Sequence, residues 1–226
     1  MKLGLGEKVK VFELGSGSGQ HAVEVCSRHR EVLWQPSDIS KLCISSIDAR
    51  AKQYDVFKSP VNARYMHGNC HEALNFDITM YDKTIALLEN KWKSVDLLVA
   101  LNVVQYAPWR FVENLFKLGN EICKMYGFIF LYGPFRVDGN ITHDQQMLEL
   151  HLKTLSAKFG IRDLEDVIEI AASYQFHLEV SSCYYLLLSI LSSFVRVAHS
   201  LVLSLPSSLT YTTPHHSSSL NWRGTI

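Results

Sequence analysis

At 226 residues, with 47% apolar and 19% charged residues, the chain can build one α/β domain with its own core, and wholesale disorder is excluded. Lys plus Arg number 22 and Asp plus Glu also number 22, so no global field gathers nucleic acid or an anionic membrane; such a partner would need a local patch. The N-terminus carries no apolar run followed by a small-residue cleavage site. The cysteines (Cys26, Cys43, Cys70, Cys123, Cys183) include no C-x-x-C pair, which is the pattern of a reduced chain of the cytoplasm, with the nucleus left open.

Val9 to Leu14 is an apolar run ending in glycines, as a buried parallel strand should be. Gln20 to His29 follows as a helix with Ala22, Val23, Val25 and Cys26 facing inward. A second strand begins at Val32 and ends at Asp38; Ser40 can cap the next helix, where Leu42, Ile47, Ala51 and Tyr54 recur at helical spacing. Asn75 to Ile78 is the expected third strand. His67, Cys70 and His71 cluster before it, but three donors with no second cluster make a poor tetrahedral set, so no metal is expected.

Val95 to Leu101 is the clearest buried strand. A helical stripe from Phe111 to Met125 comes next, closed by Gly127 in the C′ position, and Phe128 to Tyr132 forms another buried strand. Asp163 is placed to cap a helix carrying Leu164, Val167, Ile168 and Ala171, and Phe176 to Val180 starts a sixth strand. Strands alternating with helices predict a three-layer α/β/α domain over residues 1–180, a parallel sheet covered on both faces. Residues 181–226 differ: twelve are serine, none is acidic, and Arg196 and Arg223 are the formal charges. Arg196, His199 and the serines interrupt the apolar run from Leu186 to Leu205, so a poorly ordered tail is expected rather than a membrane helix.

The chemistry is carried first by Glu13-Leu14-Gly15-Ser16-Gly17-Ser18-Gly19-Gln20-His21. Alternate glycines between a buried strand and a helix let the backbone turn sharply and approach a ligand closely, at the carboxyl end of the strand where open α/β sheets bind ligands. The spacing is G-x-G-x-G, and Gln20 stands where the dinucleotide fingerprint places its last glycine. By itself this is a common glycine-rich turn. Asp38, 19 residues beyond Gly19 at the end of the second strand, adds a carboxylate that can accept both hydroxyls of a ribose, although an Asp there is also a common helix cap. Glu13, two residues before the first glycine, would repel a pyrophosphate and suits a ligand bearing ammonium and sulfonium groups. The set favours S-adenosylmethionine over NAD.

LGSGSGQHA, WQPSDIS, NVVQYAPW, FLYGPF and GIRDLEDV, from about Val9 to Val180, resemble the methyltransferase-like 26 family, a group of class I methyltransferase homologues. The resemblance implies a Rossmann-like class I methyltransferase sheet. Gly15, Ser16, Gly17 and Gly19 would then hold the methionine part, with Glu13, Gln20 and His21 beside the turn. Asp38, followed by Ile39, would hold ribose. Asp77-Ile78 would flank adenine, and Asn102-Val103 would line the methyl-transfer mouth. The chain departs from the family at Gln105, where the pattern has histidine. It also departs in a lead-in too short to supply the family's helix before the first strand, and in an ending that implies no normal last strand. Substrate-side candidates are Asn102, Gln105, Tyr106, Trp109, Tyr132 and Arg162; Trp109 and Phe135 are equally well read as core, and Arg162 as an anchor for a carboxylate or phosphate. No strong general base is evident among them. The expected activity is in-line methyl transfer to an unknown acceptor, small molecule or protein before nucleic acid, with no membrane partner. A non-catalytic S-adenosylmethionine binder or scaffold is the second reading, and an NAD-dependent oxidoreductase the third.

Overall fold

The computed structural model describes residues 8–54, 57–58, 68–88, 95–184 and 189–196. In chain order the elements are β1 (Val9–Leu14), α1 (Gln20–Arg28), β2 (Val32–Asp38), α2 (Lys41–Gln53), β3 (Phe57–Lys58), β4 (Cys70–His71), β5 (Leu74–Asn75), α3 (Tyr81–Thr84) and β6 (Val95–Leu101). They continue with α4 (Arg110–Ile122), β7 (Cys123–Gly133), β8 (Phe135–Arg136), α5 (His143–Leu155), β9 (Arg162–Asp163), α6 (Leu164–Ser173), β10 (Phe176–Tyr184) and β11 (Ser189–Arg196). The main sheet runs β10-β11-β7-β6-β1-β2-β4-β3, with β5 also pairing β2. The pairs of β1 with β2 and β6, and of β6 with β7, are parallel, and β11 is antiparallel to both β7 and β10.

The alternation along β1 divides the core. Phe12 and Leu14 join Leu98, Ala100, Ile129 and Leu131 beneath α4 and α6, while Val11 joins Trp34 and Val99 beneath α1 and Ala51 of α2. This is the expected three-layer arrangement. Pro36 is tolerated in an interior strand because it falls between the β4 pairing at Trp34 and the β5 pairing that begins at Ser37. On the α1 side, Val9, Val32, Leu97, Leu101 and Phe130 line an open apolar trough beside α1.

Several expectations are corrected. The sheet has an antiparallel last strand: Ser189–Arg196, within the stretch expected to be tail, pairs Ile190 through Val195 with Gly133 through Phe128. Its run of Ile190, Leu191, Phe194 and Val195 suits a strand, and the pairing satisfies backbone that would otherwise be an open edge. The expected disorder beyond Arg196 lies outside the described residues. The third strand is broken into β4 and β5, and Ile78 opens a 3₁₀ turn instead of ending a strand. Helix α4 ends at Ile122 rather than Met125. The chain passes directly into β7 and bulges against β6, with Tyr126 in the left-handed region (φ 63°), so Met125 is exposed and Gly127 lies within the strand. The α6 cap is also different: Asp163 makes no side-chain cap and takes Arg136 Nη1 at 2.8 Å across the two-stranded β8–β9 sheet. Helix α5 stands outside the expected elements, although Thr142 and Gln145 form a full capping box with a recognisable spacing.

The bulge has a purpose in the sheet. Asp96, 3% exposed, accepts the Lys10 N–H at 2.8 Å and Lys124 Nζ at 2.8 Å. Asp96→Ala would leave the Lys10 N–H unpaired and is expected to destabilise the domain by about 2–3 kcal/mol. Lys124→Ala, with a more accessible partner lost, should cost less. Urea unfolding of the two variants checks the order.

Candidate cofactor site at the carboxyl ends of β1 and β2

Strand order reverses between β1 and β6, since the chain leaves β1 toward β2 and later returns to its other side. Open α/β sheets bind ligands in the crevice outside the carboxyl ends of strands at such a switch point. The glycine turn after β1 and Asn102–Gln105 after β6 meet there.

The turn is held open by left-handed backbone: φ is 68° at Gly15, 56° at Gly17 and 78° at Gly19. These conformations suit residues without a Cβ. The surroundings of the three differ. A Cβ on Gly15 would lie 2.7 Å from Val103 Cγ2, and one on Gly19 3.0 Å from the Ile47 Cα, so these two glycines are packed against protein. A Cβ on Gly17 would meet nothing within 4 Å. Gly17 is therefore the glycine of the three whose Cβ side is open.

Asp38 holds the main chain of Gly17. Its Oδ2 accepts the Gly17 N–H at 2.9 Å and its Oδ1 accepts the Ser40 N–H at 2.8 Å. An ionised carboxylate offers about four acceptor positions, so roughly two remain for further donors. The acid is positioned by its neighbours: the Asp38 carbonyl accepts Phe76 N–H at 3.1 Å and Asn75 Nδ2 at 3.2 Å. Ser37 and Ser16 lock β2 to the turn, with Ser37 N–H on Ser16 Oγ at 3.1 Å and Ser37 Oγ donating to the Glu13 carbonyl at 2.7 Å. No spacing in the sequence marks this serine pair. Ile39, next to the acid, is 68% exposed and provides an apolar side chain beside it. Asp77 and Ile78 are placed otherwise. Asp77 Oδ1 accepts Thr79 N–H at 2.9 Å to cap the 3₁₀ turn, and Ile78 is 3% exposed in the core, so its side chain presents almost no surface to a ligand.

Glu13 faces the α1 side of the sheet. It is buried, its Oε2 accepts Trp34 Nε1 at 3.0 Å, and its Oε1 lies 3.6 Å from His21 Nδ1. Gln20 opens α1 and is exposed. The Glu13 carboxylate beside it raises the His21 pKa above the usual imidazole value, and burial opposes the rise. A group whose folded pKa is raised stabilises the fold fully below its unfolded value, and that contribution is lost as pH rises through the folded value. His21 should therefore titrate above 6.5 by NMR. In Glu13→Gln, where burial is the main remaining influence, it should titrate at or below the ordinary value, and the loss of stability above neutral pH should shrink.

On the β6 side, Asn102 adopts φ 53° and donates its N–H to the Tyr132 carbonyl at 2.7 Å. Gln105 is 4% exposed, and Gly160 N–H donates to its main-chain carbonyl at 3.0 Å. Tyr106 is 44% exposed and meets Phe159 edge-on at 6.3 Å. Trp109 packs partly buried on the main core, Phe135 is fully within it, and Tyr132 is half-buried at the end of β7. Arg162 Nη2 donates to the carbonyls of Ala107 and Lys158, so this end of the guanidinium ties two loops together, and burial lowers its pKa. Among the described residues, no group of three His, Cys, Asp or Glu could hold a metal ion, and His67 lies outside them. No helix among them is long and apolar enough to cross a membrane.

A family described as a protein of unknown function, DUF938, matches residues 3–182. The chain belongs to the DUF938 family. Its fold is shared with solved methyltransferases. An O-methyltransferase family protein from Burkholderia thailandensis matches with a TM-score of 0.64 at 13% identity, over 88% of this chain and 54% of that one. The geranyl diphosphate C-methyltransferase from Streptomyces coelicolor A3(2), in complex with Mg2+, geranyl diphosphate and S-adenosyl-L-homocysteine, matches at 0.60 and 11% identity, over 85% and 76%. A putative sarcosine dimethylglycine methyltransferase from Galdieria sulphuraria matches at 0.59 and 12%, over 84% and 79%. The chain spans about half the length of the first of these, of the mitomycin 7-O-methyltransferase MmcR and of the pyocyanin biosynthetic protein PhzM. These likenesses show that this DUF938 chain has the Rossmann-like class I methyltransferase fold.

Proposed function

We propose that this DUF938 protein binds S-adenosylmethionine and is a methyltransferase. The observation that supports this most is the pairing of Asp38 with Gly17: a carboxylate with spare acceptor positions stands against a left-handed glycine whose Cβ side is open, at the switch point of the sheet. Asp38 would hold the ribose hydroxyls, Gly15 to Gly19 the methionine part, Ile39 one face of the adenine, and Asn102-Val103 the mouth. Asp77 and Ile78 contribute the backbone beyond β5. Glu13 and His21 support the turn from behind. When bound, S-adenosylmethionine supplies a methyl on sulfonium sulfur that passes to a nucleophile, the bonding pair returning to sulfur and the nucleophile's proton leaving to water. The resemblance of WQPSD and LYGPF to the methyltransferase-like 26 group supports the same reading. Free thiols at Cys26, Cys43 and Cys70 agree with a cytoplasmic setting.

A non-catalytic binder is the second reading, favoured by one observation: the mouth candidates Asn102, Gln105, Tyr106 and Tyr132 include neither carboxylate nor imidazole. Incubation with methyl-tritiated S-adenosylmethionine and separate small-molecule and protein fractions of a cell extract tests the two. Label should enter one fraction with the native protein and not with Asp38→Ala. Binding without label in any fraction would select the non-catalytic reading.

A further inference from the structure

The two faces of the sheet are covered unequally. Leu98, Ile129 and Leu131 are fully buried beneath α4 and α6, whereas Leu97, Leu101 and Phe130 on the α1 side remain partly exposed, as do Val9, Val25 and Val32. These partly exposed side chains line the trough beside α1, a cavity of about 720 Å³. That volume lies within the roughly 300–1,000 Å³ of small-molecule sites, and the lining has their make-up, a mainly apolar wall with a few polar groups.

The cations of the lining stand beside the glycine turn. His21 lies in the first turn of α1, directly after it, and Arg50 Nε donates to the Ser18 carbonyl within it at 3.1 Å. The acid of the lining, Glu24, is paired with Arg28. His21 turns Nδ1 toward Glu13 and its side chain is 57% exposed, which leaves Nε2 for an outside partner; the Glu13 carboxylate favours the protonated ring. On the sheet side Leu101 lines the trough, and the next residue is Asn102 of the mouth. The trough therefore runs from the amino ends of β1 and β2, at Val9 and Val32, to the border of both the turn and the mouth.

Resting on the cofactor reading above, we infer that the trough holds the acceptor, and that the acceptor is a carboxylic acid with a long apolar chain. The chain lies on Val9, Val32, Leu97 and Phe130, and the carboxylate meets His21 and Arg50. Burial of the chain removes partly exposed apolar surface from water, and the head group is opposite in charge to the cations at that end. The mouth candidates Asn102, Gln105, Tyr106 and Tyr132 include no carboxylate or imidazole to serve as base. An ionised carboxylate needs none, because it has no proton to lose. On transfer a carboxylate oxygen forms the bond to the methyl carbon, and the carbon–sulfur bond breaks with its electron pair going to sulfur. The negative and positive charges cancel, giving a methyl ester and S-adenosylhomocysteine.

Decanoate is the probe, with decanol and butyrate as controls for its charge and its chain. NMR titration of the labelled native protein at neutral pH should show saturable decanoate shifts at Val9, Leu101 and Phe130. Decanol and butyrate should each bind at least tenfold more weakly. Val25→Trp, whose ring fills the trough from the α1 wall, should weaken decanoate at least tenfold and leave S-adenosylhomocysteine binding unchanged. If that variant does not fold, nuclear Overhauser contacts between the decanoate methylenes and the Phe130 ring decide where the chain lies. With methyl-tritiated S-adenosylmethionine, the native protein should form labelled methyl decanoate. No saturable shift, equal binding of decanol, or decanoate bound together with S-adenosylmethionine without ester would overturn the inference. So would a dimer in sedimentation that covers the trough and excludes decanoate, the occupant then being a second copy. A protein that binds S-adenosylhomocysteine but not decanoate loses this inference alone. One that binds decanoate but neither adenosyl compound loses the cofactor reading and the acceptor role together.

Discussion

Asp38→Ala is expected to bind S-adenosylhomocysteine at least about a hundredfold more weakly than the native protein, because two hydroxyl hydrogen bonds to a charged acceptor contribute roughly 1.5–3 kcal/mol each. The same substitution releases the Gly17 and Ser40 N–H groups that the carboxylate holds. Both lie near the surface of the site and can turn to water, so the loss of stability should be small, about 1 kcal/mol. Asp38→Asn keeps one neutral acceptor and should fall between. Calorimetric titration beside thermal melting separates the effects. If the Asp38→Ala melt drops sharply while the residual folded protein binds normally, Asp38 is a turn cap and the ribose assignment is wrong.

The second large effect comes from the glycines, which the structure divides into two kinds. Gly17→Ala incurs a left-handed penalty of roughly 1–2 kcal/mol and no clash, since its Cβ meets nothing within 4 Å. It should fold at slightly reduced stability yet lose more than tenfold in cofactor affinity, because the methyl enters the space assigned to the ligand. Gly15→Ala adds to that penalty a contact at 2.7 Å with Val103 Cγ2. Overpacking of this kind brings the expected total to about 3 kcal/mol, with the β6 loop displaced. Gly15→Ala should therefore lower both melting temperature and binding, Gly17→Ala chiefly binding. A Gly17→Ala protein with native affinity would mean that the ligand does not lie over the turn.

Both predictions rest on features legible in the sequence. A buried parallel strand reads as an apolar run, so β1, β6 and the core of β7 could be placed from Val9–Leu14, Val95–Leu101 and Phe128–Tyr132, and the turn and Asp38 followed from where those runs stop. Elements whose signal is short or diluted were harder to read. β4 and β5 have two residues each and are recognisable only by their pairing with β2. β11 lies in a serine-rich stretch whose composition over dozens of residues conceals eight residues of strand. Met125 fits a helical stripe by periodicity, but the bulge that brings Lys124 to Asp96 overrides it. The contact of Gln105 with Gly133 is of another kind altogether: the two residues are far apart in the chain and meet because β6 and β7 are neighbours. No local spacing encodes that meeting.

The central claim, a cofactor site at the ends of β1 and β2, is tested most directly by calorimetric titration of the native protein with S-adenosylmethionine, S-adenosylhomocysteine and NAD. Saturable binding of the first two at one site per chain, with no heat from NAD, is the predicted result. A folded protein that binds neither adenosyl compound, or that prefers NAD, would contradict it.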